Sequence, residues 1–207
     1  MTRAYDKCYL EDTMSSLGAM LDFAVGRCGE DLELFWERFL SSGIAQQFSR
    51  RNPKYLCGLS GIELALCVAE KTGAPLPVKS VSIDIGSPAY WTGWSLAYLQ
   101  WHLNLSFMEL QRCGLTASEV HARYATLHEA DLSRTVLFAE KTLAAHHHPQ
   151  AFKSARKNAG LSQQQLAEQS GIPLRVIRAY EQGTLSLDRA ASQTVRLLYS
   201  VLGLDGD

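Results

Sequence analysis

Apolar residues recur at helical spacing along most of the chain. One stripe at positions i, i+3, i+4, i+7 and i+8 lies on a single helix face: Leu32, Phe35, Trp36, Phe39 and Leu40. Gly43 is expected to stop this helix. A further helix is predicted to begin after Ser60, because Glu63 can complete a capping box with it, and to end at Gly73. The pattern therefore predicts an all-α protein.

The pattern changes between Pro75 and Pro88. Val81, Ile83 and Ile85 alternate with polar residues, which predicts a short strand or an extended connector near residues 78–86. A single strand needs a partner strand, and the sequence offers none. We therefore expect a sub-boundary in the N-terminal part near residues 74–88.

Four aromatic residues follow at one-sided helical spacing: Trp91, Trp94, Tyr98 and Trp101. Because aromatic side chains bury large areas, we expect this stripe to belong to the core. A stacking platform for single-stranded nucleic acid is the alternative. Such platforms combine aromatic with basic residues, and no basic residue occurs between Tyr90 and Leu103 other than a histidine.

Charge divides the chain in two. Residues 1–145 carry 13 basic and 16 acidic residues, whereas residues 146–207 carry 7 basic and 5 acidic ones. Pro149 predicts that a helix ends just before it. We therefore expect a helical domain over residues 1–145, a linker at about 145–150 and a second domain over residues 150–207. The three histidines at 146–148 are interpreted as a solvated connector, because a metal site would need further ligands at a usable spacing.

The second domain is predicted to contain five short helices. Ser162 can cap the second helix with Gln165 at the capping-box position, and Pro173 suits the first turn of the third. The predicted segments are Ala151–Ala159, Ser162 to Gly171, Pro173 to Glu181 or Gln182, a fourth helix beginning at Ser186 or Asp188, and a final apolar series from Val195 to Leu204.

One motif in this domain is Leu161-Ser162-Gln163-x-x-Leu166-Ala167-x-x-x-Gly171-Ile172-x-x-x-x-Ile177-x-x-Tyr180-Glu181-x-Gly183. It resembles the helix-turn-helix of the Cro and phage-repressor (XRE-like) family, over residues 151–204. The resemblance implies a five-helix, lambda-repressor-like domain of a transcriptional regulator that binds double-stranded DNA. Because a monomeric domain of this size makes few base contacts, we expect a homodimer that binds two half-sites one helical turn apart.

Eight residues are predicted to contact DNA: Lys153, Lys157, Gln163, Leu174, Arg175, Arg178, Ala179 and Thr184. Gln163 can reach a phosphate with help from backbone N–H groups. Arg175 can bind guanine O6 and N7 together, which is worth roughly 1–3 kcal/mol of discrimination. The resemblance further implies a structural ion pair between Arg156 and Glu181, which would hold the register of the helices more than it adds stability.

Two features depart from the family pattern. Pro173, Leu174 and Ala179 stand at positions that usually read bases, which leaves Arg175 as the strong hydrogen-bond donor there, and the loop after Gly183 has no basic residue. The alternative is that an apolar set faces a protein instead: Leu174, Val176, Leu185 and Leu187.

Two other functions stay open. Residues 1–145 have an acid excess of three charges, which suits a basic partner, so the protein could be an antitoxin that clamps a toxin and represses its own operon. Alternatively, it is an interaction module whose helix-turn-helix has lost DNA contact.

Several function classes lack their sequence signals. The chain has no glycine-rich nucleotide-binding motif and no H-E-x-x-H motif, so we predict no enzyme, no cofactor and no metal. Five cysteines without a C-x-x-C pair predict reduced thiols. No apolar run is long enough to span a membrane, and the N-terminal residues lack the apolar region of a signal peptide, so a cytoplasmic location is expected.

Overall fold

The computed structural model describes residues 3–78, 80–145, 149–187 and 190–203. Within these ranges the protein is all-α, with fourteen α-helices and no strand, as the sequence predicts. The chain divides into two compact units, Met1–Ala139 and Glu140–Asp207. No helix in the described part is long and apolar enough to cross a membrane.

The first unit contains nine α-helices and the beginning of a tenth. Their bounds are α1 Leu10–Leu21, α2 Leu32–Ser41, α3 Ile44–Ser49, α4 Pro53–Leu56, α5 Gly61–Thr72, α6 Pro88–Leu103, α7 Phe107–Arg112, α8 Ala117–His121, α9 Tyr124–Leu127 and α10 Leu132–Ala145. A π-helical turn, Asp22–Arg27, continues α1.

Local signals set the ends of α2 and α5. Phe35, Trp36 and Phe39 of the predicted stripe are fully buried on α2, which ends two residues before Gly43. At the start of α5, the Ser60 hydroxyl accepts the Glu63 N–H at 3.3 Å, while the Glu63 carboxylate accepts the Ser60 N–H at 2.8 Å. Both helices and the capping box are confirmed.

Helix α1 packs against α5 and α6 with almost no space between the backbones. A Cβ atom added at Gly93 of α6 would stand 2.2 Å from the Leu17 carbonyl oxygen of α1. A Cβ atom at Gly61 of α5 would stand 2.5 Å from the Ser16 carbonyl oxygen. Because only glycine has no side chain, these two positions permit the close helix contacts that form the centre of the unit.

The aromatic stripe of α6 is only partly core. Trp101 is buried, whereas Trp91, Trp94 and Tyr98 are half-buried. The face of α6 that packs against α1 carries Gly93 instead, since bulky rings would hold the two helices apart. The expectation of a core stripe is therefore confirmed for Trp101 and is wrong for the other three rings.

The segment between α5 and α6 is an extended connector, so the alternative of a strand near residues 78–86 is wrong for the described residues. Val81 and Ile85 are 70% and 76% exposed, and no neighbouring strand pairs with them in the described ranges. One buried carboxylate holds the end of the connector: Asp22 accepts the Asp84 N–H at 2.9 Å and the Ser87 hydroxyl at 2.6 Å. These bonds to a side chain replace the backbone ladder that a strand would need.

The second unit contains the end of α10 and four further helices in its described part: α11 Pro149–Asn158, α12 Gln163–Ser170, α13 Leu174–Glu181 and α14 Ser192–Leu202. The predicted fourth helix beginning at Ser186 or Asp188 falls partly outside the described residues, and the linker histidines at 146–148 lie wholly outside them. The core of the unit draws on all four helices and on Leu187 in the last loop.

Candidate nucleic-acid interface

Helices α12 and α13 form a helix-turn-helix. Ser162 caps α12, since its hydroxyl accepts the Gln165 N–H at 3.1 Å and the Gln165 side-chain oxygen accepts the Ser162 N–H at 2.8 Å. Gly171 ends α12 with a φ of 69°, a left-handed value that favours glycine. The Ser170 hydroxyl donates to the Leu166 carbonyl at 2.6 Å and accepts the Ile172 N–H at 3.3 Å, which stabilises the turn.

Helix α13 has one buried and one exposed face. Ile177 is fully buried and Tyr180 is 6% exposed, and both belong to the core of the unit. Arg175 and Arg178 lie on the other side and are exposed, and their side chains form no hydrogen bond or ion pair with any described residue. The two guanidinium groups are therefore available to a ligand.

Leu174 and Ala179 are less open than the sequence suggests. Leu174 is half-buried and packs against the core, and Ala179 is half-buried as well. The Ala179 carbonyl accepts the Thr184 N–H at 3.0 Å and the Thr184 hydroxyl at 3.1 Å. The hydroxyl that we expected to contact DNA thus donates to the end of α13 in this structure.

Arg156 and Glu181 form a buried ion pair between α11 and α13. The Arg156 Nε and Nη2 atoms lie 2.5 Å and 3.1 Å from the two Glu181 carboxylate oxygens, and the side chains are 9% and 3% exposed. The Arg156 Nη1 atom also donates to the Leu161 carbonyl at 2.6 Å. This arrangement holds α13 against α11, the first helix of the domain.

Gln163 joins the same cluster. Its side-chain Nε2 donates to Glu181 Oε2 at 2.7 Å. A phosphate oxygen accepts hydrogen bonds, and Gln163 Nε2 is the side-chain donor that could serve it, so a phosphate contact through this amide would compete with Glu181. The structure places Gln163 at the start of α12, as the motif predicts, and adds a partner that the motif does not reveal.

The exposed charge of the second unit is positive. Its residues 149–187 and 190–203 include six Lys and Arg residues but only two acidic ones, and Glu181 is already paired with Arg156. Lys157 is exposed and Lys153 is half-buried one turn before it on α11. Arg196 of α14 is also exposed, and the sequence did not single it out because the periodic signal of that helix comes from its apolar residues.

The apolar set proposed to face a protein is largely occupied within the unit. Leu187 is 2% exposed and belongs to the core, so its placement on a protein-facing surface is wrong. Leu174 and Val176 are half-buried against the same core. Leu185 alone of this set is open, with 46% of its surface exposed.

Comparison with known proteins agrees with this geometry. Residues 152–203 match the family model described as helix-turn-helix, which is the Cro and phage-repressor type. The matched segment covers most of α11 and all of α12, α13 and α14, and the resemblance is confirmed for it. No curated protein and no solved structure matches the chain significantly.

Proposed function

Because residues 152–203 are a helix-turn-helix domain of a type found in DNA-binding regulators, we propose that this protein regulates transcription by inserting α13 into the major groove of double-stranded DNA. The observation that carries the proposal is the pair Arg175 and Arg178, exposed and without partners among the described residues, opposite the buried face of α13. In helix-turn-helix proteins the second helix lies in the major groove, and its first residues contact base edges.

The two arginines take different roles in this proposal. Arg175 is the second residue of α13 and reads a guanine, because its fork of donors matches O6 and N7. Arg178 lies one turn further along and contacts the backbone. Lys153 and Lys157 add phosphate contacts from α11, which position the domain without reading sequence.

We also propose that the protein binds as a homodimer. A single α13 offers two strong donors, too few for a specific site, whereas a two-fold pair doubles them over half-sites about 34 Å apart. Analytical ultracentrifugation of the protein with a palindromic fragment tests the stoichiometry. Two chains per fragment support the dimer, and one chain at saturation contradicts it.

Fluorescence anisotropy with DNA from upstream of the protein's own gene tests the function. We expect Arg175→Ala to weaken binding by about 1–3 kcal/mol for the preferred sequence and to relax preference at one base pair. Arg178→Ala is expected to weaken binding to all sequences and to lower the slope of log affinity against log salt by about one. Arg196→Ala is the matched control, because it removes the same charge from an exposed position on α14.

Two outcomes contradict the proposal. One is absence of binding at low salt to every upstream fragment tested, since electrostatic attraction should then be strongest. The other is an equal, small loss in all three variants, which would mean that α13 has no special role and that the helix-turn-helix serves as an interaction module.

A second candidate function is an antitoxin that also represses its own operon. Its support is the acid excess of residues 1–145, which have 16 acidic and 13 basic residues and so suit a basic partner. Co-expression with the neighbouring gene tests it. A stable complex with a product that is toxic on its own supports this function, whereas separate purification of the two proteins argues against it.

A further inference from the structure

An aromatic cleft opens in the first unit beside α6. Its volume is about 360 Å³, near the lower end of the range for small-molecule sites. One side is formed by Tyr90, Trp91 and Trp94 of α6, and the other includes His128, Leu132 and Thr135. None of the described residues that line the cleft is Asp, Glu, Lys or Arg.

We propose that this cleft binds a neutral aromatic compound of one or two rings that carries one O–H or N–H group. Neither the cleft nor such a ligand is involved in the DNA contacts proposed above, so the two proposals stand or fall separately. The aromatic and aliphatic side chains of the cleft pack against the rings of the ligand. Two polar groups in the cleft accept its O–H or N–H group.

The aromatic side of the cleft is fixed before any ligand arrives. Tyr124 packs edge-on against Trp91, with ring centroids 5.8 Å apart, and stacks on His128 at 4.3 Å. The Tyr124 hydroxyl donates to the Gly86 carbonyl at 2.7 Å, which anchors this ring to the connector. Because these rings are already ordered, a ligand would lose little binding energy in arranging them.

Thr135 provides the first polar group. It is only 2% exposed, lines the cleft and has no hydrogen-bond partner for its side chain among the described residues. Other helical threonines of this unit, Thr13 and Thr92, each donate to the carbonyl four residues earlier at 2.7 Å. Its hydroxyl can both donate and accept a hydrogen bond, so Thr135 is available to bond a molecule in the cleft.

His128 provides the second polar group. Its Nδ1 lies 2.8 Å from the Tyr124 carbonyl oxygen, which can only accept, so Nδ1 carries the proton. In the neutral ring Nε2 is then an acceptor. The Glu129 Oε1 atom lies 3.6 Å from Nε2, too far for a hydrogen bond, so Nε2 can still accept from a ligand that donates through O–H or N–H. The described residues of the lining include no Asp, Glu, Lys or Arg, which favours a neutral compound over an ion, and the Glu129 carboxylate beside His128 further disfavours an anion.

Isothermal titration calorimetry of the full chain with 2-naphthol tests the proposal. We expect saturable binding with one site per chain. Ala130→Phe, which fills the cleft from its rim, should abolish this binding, while Ala122→Phe on an exposed position outside it should not. Thr135→Val removes the hydroxyl at nearly constant shape and should weaken binding roughly threefold to tenfold. Thr126→Val is its matched control on the exposed surface.

Other outcomes overturn the proposal. No heat with 2-naphthol, or heat that is unchanged in Ala130→Phe, would show that the cleft is not the site. Binding of tetramethylammonium in place of 2-naphthol would show that the rings recognise a cation instead. Circular dichroism of Ala130→Phe establishes that it is folded, and Thr135→Val provides a second variant if it is not.

Discussion

The buried pair of Arg156 and Glu181 predicts how strongly the DNA-binding unit depends on one contact. Glu181 is 3% exposed and accepts three hydrogen bonds, two from Arg156 and one from Gln163. In Arg156→Met the carboxylate stays buried with only the Gln163 amide. Breaking a buried ion pair in this way costs about 3–5 kcal/mol.

That cost is comparable with the whole stability of the unit. A unit as long as Glu140–Asp207 is stable by about 3–10 kcal/mol if it follows the usual value per residue. We therefore expect Arg156→Met to lower the opening free energy of α13 by about 3–5 kcal/mol, although Arg156 makes no proposed DNA contact. DNA binding falls with it where the stability of the unit lies in the lower half of the range of about 3–10 kcal/mol. The double variant Arg156→Met with Glu181→Met should recover, because an apolar pair of similar size often matches or exceeds a buried ion pair.

Hydrogen exchange followed by mass spectrometry is the suitable assay. All four tryptophans lie between residues 36 and 101, so their fluorescence reports on the first unit and not on the second. Exchange of the α13 amides gives the local free energy of opening. Arg175→Met is the control. Its opening free energy at α13 should stay within about 0.5 kcal/mol of that of the original protein, because the Arg175 side chain is exposed and has no partner among the described residues.

Two results would refute the reasoning. If Arg156→Met lowered the opening free energy of α13 by less than about 1 kcal/mol, the Glu181 carboxylate would be accepting hydrogen bonds from water or another donor at little cost. A double variant as unstable as the single one would mean that packing of the arginine, and not the stranded charge, holds the unit together.

Three further predictions concern the first unit. Gly93→Ala should destabilise it by about 1–3 kcal/mol in urea unfolding, because a methyl group would meet the α1 backbone, whereas Gly86→Ala should not. Burial lowers the pKa of His102 in the folded protein, so the unfolded chain binds a proton at this residue at a higher pH than the folded protein does. The free energy of unfolding therefore falls as the pH drops below 6.5. His102→Gln should make this fall smaller when the free energy of unfolding is measured from pH 7 to 5. Burial raises the pKa of Cys113 to about 11, so iodoacetamide at pH 8 should label exposed Cys57 much faster, as peptide mass spectrometry can measure.

Each of these has a clear contrary result. Equal urea midpoints for the two glycine variants would mean that α1 and α6 can separate without cost. If the free energy of unfolding of His102→Gln depended on pH as in the original protein, groups other than His102 would cause that dependence. Similar labelling of both cysteines would show that the region around Cys113 opens readily.

Signals that lie close together in the sequence predicted the fold well. The capping boxes at Ser60 and Ser162 and the turn at Gly171 involve residues three or four positions apart, so local chemistry determines them. The ion pair of Arg156 and Glu181 came from the family resemblance instead. It spans 25 residues, which no local pattern could connect.

Features that depend on packing between distant segments were not predictable. Leu187 follows a loop with no periodic pattern, yet it is buried in the core of its unit. The half-burial of Trp91 and Trp94 follows from the close approach of α1 to Gly93, which spacing within α6 cannot reveal. The Gln163 bond to Glu181 likewise depends on how α12 and α13 meet.

Helix α13 keeps its supporting and its exposed residues apart. Ile177, Tyr180 and Glu181 hold it in place, whereas Arg175 and Arg178 share no hydrogen bond or ion pair with them. Under the proposed function, Arg175 can therefore be exchanged, and with it the base pair that is read, without rebuilding the scaffold. The same separation makes position 175 the natural one to randomise when retargeting the proposed DNA contact to a new promoter.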